Sequence, residues 1–403
     1  MRTRARDPVE MDRLGQYGKN AGGDRARDRV CDQSYIKQFN IQSVLAMLKQ
    51  RQPVSRTEIA RMTGMSPTSI TRIIGALISQ ELVYETAGEQ RPGRGRKATN
   101  LAVNSDGLYA IGIHLENSVI RLCVMNFSSE VLYRGETLID GACVPEQMAQ
   151  TAKALFDRMP KTVVEDFSKI GAVGVCLSGA VEPGRGTVTQ SYQMAWEDVD
   201  LQAAFSEAFG MPACIENDAK ACLIGEKVRM GIPDSVDTAY LLVDKGIGLA
   251  CSSGGVLLRG ERNEAGEISR IPIGLDEEGR PESFSDHLNV ASLIRRARAY
   301  DSGIHSLEGI VWAERQGAEW ARALIDDFRK YLEIMIGVID GVCNPSRIIL
   351  GGSVCPKLWP EVEKCRSKAQ VYLGDRYEES CMTGAALVAI RRAVVEMIGQ
   401  SIE

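Results

Sequence analysis

An amide and a carboxylate stand side by side at the end of a short apolar run in the stretch CIENDAKACLIGE, residues 214–226. Asn217 and Asp218 directly precede a helical pattern, so both are expected at a strand-to-helix turn. A carboxylate at this position could act as a catalytic base that takes a proton from a substrate hydroxyl. The pair could instead line a pocket that only senses the substrate, and Asp218 could also serve as the N-cap of the helix.

Short polar and forked side chains cluster at the start of another predicted helix, in the sequence SPTSITRIIGAL. In a helix-turn-helix, the N-terminal residues of the second helix enter the major groove, where hydroxyl and guanidinium groups contact base edges and phosphates. We therefore expect DNA contacts from Ser66, Thr68, Ser69, Thr71 and Arg72. The alternative is a small three-helix core that binds protein.

A basic loop follows this helix, within LVYETAGEQRPGRGRKATNLAVN, residues 82–104. The segment alternates like a strand, breaks at glycine and proline, and alternates again, which predicts a β-hairpin wing. Its tip carries Arg91, Arg94, Arg96 and Lys97. An Arg-Gly-Arg tip suits a narrow, A·T-rich minor groove, and its position directly after a helix-turn-helix favours DNA binding over a merely solvated loop.

Local signals define the other helices of this head. A helical pattern runs from Asn40 and stops before Pro53, because proline disfavours helix in the preceding residue. Ser55 and Glu58 match a capping box at the start of the next helix, which ends at Gly64. Two short helices joined by the turn TGMS thus form the predicted helix-turn-helix.

The remainder of the chain alternates strand-like and helix-like patterns, which indicates α/β architecture. We predict three strands within 108–139, buried strands at 170–181 and 211–218, a Gly-rich hairpin at 240–258 and a strand at 347–352. Helices are predicted at 145–158, at 315–342 and from Thr383 onward.

The charge distribution separates the head from the body. The first 100 residues carry 18 basic and 10 acidic side chains, whereas the remaining 303 carry 30 basic and 43 acidic ones. This asymmetry is expected of a nucleic-acid-binding module joined to another domain, although the charges could merely solvate surfaces. Eleven cysteines without a C-x-x-C pair, and no apolar run near 18 residues, predict a reduced cytosolic location without a membrane partner.

From about residue 40 to the C-terminus the chain resembles the ROK family of transcriptional repressors and sugar kinases. The resemblance rests on SRTEIARMTGMSPTSITRIIGALISQELV, ENDAKACLIGE, GIGLACSSGGVLLRGERNEAGEIS and NPSRIILGGSV, which occur in the family's order. It implies a winged helix-turn-helix (34–104) followed by a two-lobed, actin-like (ribonuclease-H-like) domain (105–403) with a sugar in its cleft. It also implies dimers or tetramers. Composition makes 1–33 a disordered arm.

The resemblance assigns roles to residues around the cleft. In family kinases, the position of Asp218 is the base that activates the sugar hydroxyl, and that of Asn217 binds the sugar. Glu267 in AGEIS matches a sugar-binding Glu, and Gln193 in SYQMAW falls where many members carry a sugar-binding Asn.

Departures from the family pattern argue against catalysis. The first phosphate loop, normally Asp followed by Gly-Gly-Thr, reads HLENS at 114–118, and the second, normally Gly-Thr-Gly, reads DKG at 244–246. Without the glycines the backbone cannot approach phosphate closely, and the carboxylate of Glu116 would repel a triphosphate. We therefore expect no kinase activity and no cofactor, with Asp218 retained as a vestigial base.

The family's structural zinc site is also not expected. Arg270 stands where the family has a His, Ser285 replaces a further sugar-binding Glu, and no Cys lies between Cys251 and Cys343. His287 is interpreted as structural. Arg270 could pair with an acidic or modified sugar.

These features predict a DNA-binding transcriptional regulator, most simply a repressor, whose non-catalytic body binds a small carbohydrate. As a symmetric oligomer it would read a pseudo-palindromic operator in double-stranded DNA. The alternatives are a sugar kinase that phosphorylates a hexose-type substrate with ATP, and a regulator whose cleft meets a protein partner instead of a sugar.

Overall fold

The computed structural model describes residues 33–87, 99–140, 144–276 and 278–401. The arm predicted at 1–33 therefore lies outside the described residues except for Gln33, and the basic wing tip, 88–98, lies outside them as well. None of the described helices is both long and apolar enough to cross a membrane.

The head consists of helices α1 (Gln33–Arg51), α2 (Arg56–Thr63) and α3 (Pro67–Ser79) with three short strands in the order β1-β3-β2. These strands are β1 (Val54–Ser55), β2 (Val83–Ala87) and β3 (Thr99–Val103). The capping box is confirmed, since Ser55 Oγ accepts from the Glu58 amide and Glu58 Oε2 accepts from the Ser55 amide. The residue between α2 and the turn, Gly64, has φ of 71°, a left-handed conformation that suits glycine.

The first lobe is built on a five-stranded sheet in the order β11-β7-β4-β5-β6, in which β4, β7 and β11 are parallel. A separate three-stranded sheet, β8 to β10, was missed by the sequence reading because its strands are short and mostly polar. The elements are β4 (Tyr109–Leu115), β5 (Val119–Asn126), β6 (Val131–Leu138), α4 (Pro145–Phe156), β7 (Ile170–Leu177), β8 (Ala180–Glu182), β9 (Thr187–Ser191), β10 (Trp196–Asp200), α5 (Leu201–Phe209) and β11 (Ala213–Asn217).

The second lobe repeats this strand pattern in the order β18-β17-β12-β13-β14, again three parallel strands followed by an antiparallel pair of neighbours. It follows α6 (Asp218–Arg229). Its strands are β12 (Thr238–Val243), β13 (Ile247–Ser253), β14 (Val256–Leu257), β15 (Pro272–Leu275), β16 (Pro281–Ser283), β17 (Arg347–Gly351) and β18 (Gln370–Leu373). Its helices are α7 (Ser285–Leu288), α8 (Val290–Arg298), α9 (Leu307–Arg315), α10 (Glu319–Val342), α11 (Val354–Lys357) and α12 (Trp359–Val362).

The last helix, α13 (Tyr377–Ser401), begins six residues before the predicted Thr383 and connects the body to the head. Its first half packs tightly on α6, where a Cβ on Gly384 would lie 1.9 Å from the Ala221 carbonyl oxygen. Its second half shares one hydrophobic core with α1, as in the buried Ile398. Helix α1 in turn starts seven residues earlier than predicted, and Lys37 in this added segment donates to the Gly399 carbonyl of α13.

Candidate functional site

Parallel strands place two of the predicted ligand residues, Asn217 and Asp218, at one sheet edge. Asn217 is the last residue of β11 and pairs in register with Leu177 at the end of β7. The carboxyl ends of parallel strands are where open α/β sheets bind ligands. Asn217, rather than Asp218, is the N-cap of α6, because its Oδ1 accepts from the Lys220 amide at 3.2 Å. Its Nδ2 donates to the Gly179 carbonyl at 3.1 Å and to Asp218 Oδ1 at 3.0 Å.

Asp218 is a buried carboxylate that forms no salt bridge with a cation of the described residues. It is 4% exposed, and its Oδ1 also accepts from the Ala219 amide at 2.7 Å. Tyr377 at the start of α13 donates its hydroxyl to Oδ2 over a long 3.5 Å. Burial raises the pKa of Asp218 to about 6, the Ala219 hydrogen bond opposes this, and the nearby negative charges of Asp244 and Glu267 add to it.

Glu267 precedes a short 3-10 turn of the second lobe, Arg270 is the last residue of that turn, and both are exposed. The Arg270 guanidinium lies 5.7 Å from the ring centroid of Tyr192, the residue before Gln193. This contact joins the turn that carries Gln193 to the turn that carries Glu267. The Gln193 turn is also tied to the sheet edge, since Ser191 Oγ donates to the Ser178 carbonyl at 2.7 Å.

Two charged groups beside this edge were missed by the sequence reading. Glu216, 1% exposed, accepts two hydrogen bonds from the Arg259 guanidinium, at 3.1 and 2.5 Å. Lys220, also buried, donates its amine to the Asn263 carbonyl at 2.7 Å, and burial lowers its pKa. The sequence did contain a signal for both residues: Glu216 and Lys220 are charged, but they lie in a segment, 214–226, made mostly of residue types that are usually buried.

The loops at 114–118 and 244–246, at which we expected no phosphate binding, contact each other directly. Glu116, after β4, accepts from Arg121 Nη1 at 2.6 Å and from Lys245 Nζ, after β12, at 2.8 Å. Burial raises the pKa of Glu116, but the Lys245 hydrogen bond and the neighbouring charges outweigh it and leave the pKa below its ordinary value. Ser353, after β17, donates to Asp244. A protein carboxylate and two cations therefore meet between the lobes.

The predicted DNA-contacting residues of α3 and its N-cap are exposed, except that Ser69 is half-buried. Ser66 Oγ accepts from the Ser69 amide at 3.1 Å, so Ser66 is the N-cap of α3, and Ser69 is half-buried. Thr68, Thr71 and Arg72 are exposed. The wing residues predicted to contact DNA lie outside the described residues: Arg91, Arg94, Arg96 and Lys97.

Among the residues that the structure describes, no cluster of three or more His, Cys, Asp or Glu side chains could hold a metal ion. His287 is buried and stacks on Tyr331 with ring centroids 3.5 Å apart. Two surface cavities, of about 380 and 290 Å³, lie along the segment 260–271, and Glu267 lines the smaller one, but neither is lined by Asp218. We therefore take the strand ends, rather than these cavities, as the candidate site.

The chain is similar in sequence to a known protein family and to transcriptional regulators. The ROK family model matches residues 110–390. The xylose repressor of Caldicellulosiruptor bescii is 25% identical over 336 residues, which span 78% of this chain and 83% of that protein. The DNA-binding transcriptional dual regulator NagC of Escherichia coli is 24% identical over 350 residues, 82% of this chain and 85% of its own length.

Solved structures share the fold. A ROK family transcriptional regulator, a homologue of the E. coli MLC protein, superposes with a TM-score of 0.74 at 22% identity over 91% of this chain and 99% of that one. A Streptomyces griseus ROK family glucokinase in complex with glucose and AMPPNP has a TM-score of 0.58 at 21% identity, over 70% of this chain and 99% of that one. The regulator match extends over more of this chain than the kinase match.

Proposed function

The chain belongs to the ROK family, and we propose that it is a DNA-binding transcriptional repressor controlled by a carbohydrate-type ligand. The observation that carries the proposal is the path of α13. This helix contacts Asp218 through Tyr377 at one end and shares a hydrophobic core with the helices of the head at the other. A single element therefore adjoins both the candidate ligand site and the candidate DNA-binding surface.

DNA binding is assigned to the head. Thr68, Thr71 and Arg72 form an exposed polar surface at the start of α3, the helix that enters the major groove in a helix-turn-helix. Arg94 and Arg96 of the wing are proposed to enter the adjacent minor groove. The names of the repressor relatives, which match about four-fifths of the chain, support this assignment.

Ligand binding is assigned to the edge where β7 and β11 end. We propose that Asn217, Asp218, Glu267 and Gln193 hold the hydroxyl groups of the carbohydrate, since they offer amide and carboxylate groups. Arg270 is placed to bind an acidic substituent. The relatives' names specify xylose in one protein and do not name the ligand of this one.

The ligand would act by favouring one arrangement of the lobes. Because Tyr377 touches Asp218, a ligand that displaces this hydroxyl changes the contacts of the first turn of α13. Helix α13 packs closely on α6 and then on the head, so a shift at its start alters the head's position. A coupling of about 1–3 kcal/mol would change operator affinity roughly 5- to 150-fold.

We propose that the body, residues 105–403, has no kinase activity. The Glu116–Lys245 ion pair supports this view, because a carboxylate lies between the two loops that would otherwise hold nucleotide phosphates. The kinase alternative keeps one supporting feature, the pKa of Asp218 near 6, which suits a general base. Turnover of ATP with any sugar, abolished in Asp218→Asn, would establish that alternative.

We infer a homo-oligomer, because two heads related by symmetry would read a pseudo-palindromic site. We also propose a cytosolic location, since the inferred partner is DNA. The body would then bring two α3 helices to successive turns of the major groove.

The experiment that tests this function is selection of DNA by the purified protein. A pool of random duplexes is passed over the full chain at two salt concentrations, and retained duplexes are sequenced. Enrichment of one pseudo-palindrome at the higher salt supports a specific regulator. Retention of arbitrary duplexes that disappears with added salt reflects phosphate attraction alone and would refute the assignment.

A further inference from the structure

Two cysteines of the second lobe lie in sulfur-to-sulfur contact. Cys251, in β13, donates its thiol hydrogen to Cys343 Sγ at 3.3 Å, although the two residues are 92 positions apart in the chain. Cys343 directly follows the last residue of α10 and is half-buried, whereas Cys251 is 8% exposed. The proposed binding of DNA and of a carbohydrate uses neither thiol.

A surface cavity gives small reagents access to this pair. Both cysteines line the cavity of about 290 Å³ that Glu267 also lines. Access distinguishes them from another cysteine pair in the described part of the chain. The sulfurs of Cys222 and Cys381 are 3.2 Å apart, yet both residues are fully buried, one in α6 and the other in α13. Buried cysteines of that kind are chemically inert.

Neighbouring thiols that a small reagent can reach are the reactants of thiol–disulfide exchange. We propose that Cys251 and Cys343 form a redox modification site, at which a low-molecular-weight disulfide such as oxidised glutathione converts the two thiols into a protein disulfide. The sulfurs have to approach each other from 3.3 Å to the bond length of about 2.05 Å. This inference does not rest on the proposed function.

The reaction consists of two exchange steps. Cys343, the more exposed residue, attacks as its thiolate, which cleaves the S–S bond of the reagent, forms a mixed disulfide and releases one thiol. Cys251 then attacks Cys343 Sγ, which closes the protein disulfide and releases the second thiol. Two electrons and two protons thus pass from the protein thiols to the two released thiols. Burial raises the pKa of Cys251 and the hydrogen bond to Cys343 adds to this, so we expect the second step to be the slower one.

The disulfide would join β13 to the end of α10 beside a proposed ligand-binding residue. The Leu249 amide of β13 donates to the Gly266 carbonyl at 3.1 Å, and Gly266 directly precedes Glu267. Oxidation would therefore fix the wall of the cavity next to Glu267. A cross-link between residues 92 positions apart also restricts the unfolded chain, so the oxidised protein should melt at a higher temperature than the reduced one.

The experiment treats the folded, full-length protein with oxidised glutathione at mildly alkaline pH and maps its disulfides by mass spectrometry of unreduced peptides. We expect a cross-link between Cys251 and Cys343, and a rise in melting temperature that dithiothreitol reverses. Cys222 and Cys381 are the internal control and should remain thiols. Cys251→Ala should retain glutathione on Cys343, because the second thiol is missing. Cys343→Ser should leave Cys251 reduced and show no rise in melting temperature.

Wild-type protein in which Cys251 and Cys343 stay unlinked, or in which Cys343 keeps its glutathione, would overturn the inference, because the two thiols would not close a disulfide. Equal cross-linking of Cys222 and Cys381 would overturn it too, since access through the cavity would then not select the pair. The assay uses neither DNA nor a carbohydrate, so its failure is distinct from a failure of the proposed function.

Discussion

Replacing Asp218 by Asn should stabilise the protein at neutral and alkaline pH. The change preserves shape: an Asn Oδ1 can still accept from the Ala219 amide, now at 2.7 Å, and its Nδ2 can donate to the Tyr377 hydroxyl. What disappears is the buried charge. We expect this because burial raises the pKa of Asp218 from 3.8 to about 6, which means that the folded state disfavours its ionised form.

The magnitude follows from the same shift. One pKa unit corresponds to about 1.36 kcal/mol, so the ionised carboxylate costs at most about 3 kcal/mol of unfolding free energy. A group whose folded pKa is raised contributes stability below its unfolded pKa, near 4, and loses it as the pH rises through about 6. The advantage of Asp218→Asn should thus be absent near pH 4 and reach roughly 1–3 kcal/mol by pH 8.

Calorimetric melting of both proteins from pH 4 to 8 tests this, with the shift of each resolved transition compared between the two proteins at the same pH. Asp157→Asn is the control: Asp157 is exposed in an i,i+4 pair with Lys153, and its replacement should change stability by less than about 0.5 kcal/mol. A variant that is less stable than wild type at pH 8, or whose advantage does not depend on pH, would refute the reasoning.

Three further predictions concern the cleft, the wing and the core between head and body. Glu116→Gln should lower the unfolding free energy by about 1–3 kcal/mol. The loss should be smaller in a Lys245→Met background, because the ion pair between Glu116 and Lys245 is already absent there. Additive losses in a double-mutant cycle measured by thermal unfolding would exclude coupling across the cleft. Arg94→Ala should reduce the salt slope of operator binding by about one unit, measured by anisotropy at several salt concentrations; an unchanged slope would remove the wing from the interface. Ile398→Ala, at a fully buried position, should lower the unfolding free energy by about 2–5 kcal/mol and make the chain near α1 more susceptible to proteolysis. A variant that resists proteolysis as well as the wild type does would contradict the hydrophobic core shared by α1 and α13.

Local sequence signals predicted much of the head and the sheet strands. Ser55, Glu58 and Gly64 act within a few residues of their own positions, so capping chemistry located α2 correctly. Strands β7 and β11 were predicted from nearly continuous apolar runs, and β4 to β6 from strand-like stretches separated by turn signals. In contrast, β8 to β10 were missed, because strands of three to five residues with polar side chains lack a clear period.

Long-range contacts of the site could not be predicted from the sequence. Tyr377 meets Asp218 across 159 residues, and no local pattern marks that contact. The sequence indicated that Glu116 would repel phosphate, but not that Lys245, 129 residues later, would pair with it. These contacts depend on how the two lobes face each other, which residue spacing alone does not determine.

The most direct test of ligand-controlled DNA binding is a titration of the selected operator with the full-length protein in the presence of sugars, sugar acids and polyols, one at a time. The account predicts that at least one compound changes operator affinity by roughly 5- to 150-fold. It also predicts that Asp218→Asn greatly weakens this response. Operator affinity that no compound changes would contradict the account and would favour a protein partner in the cleft.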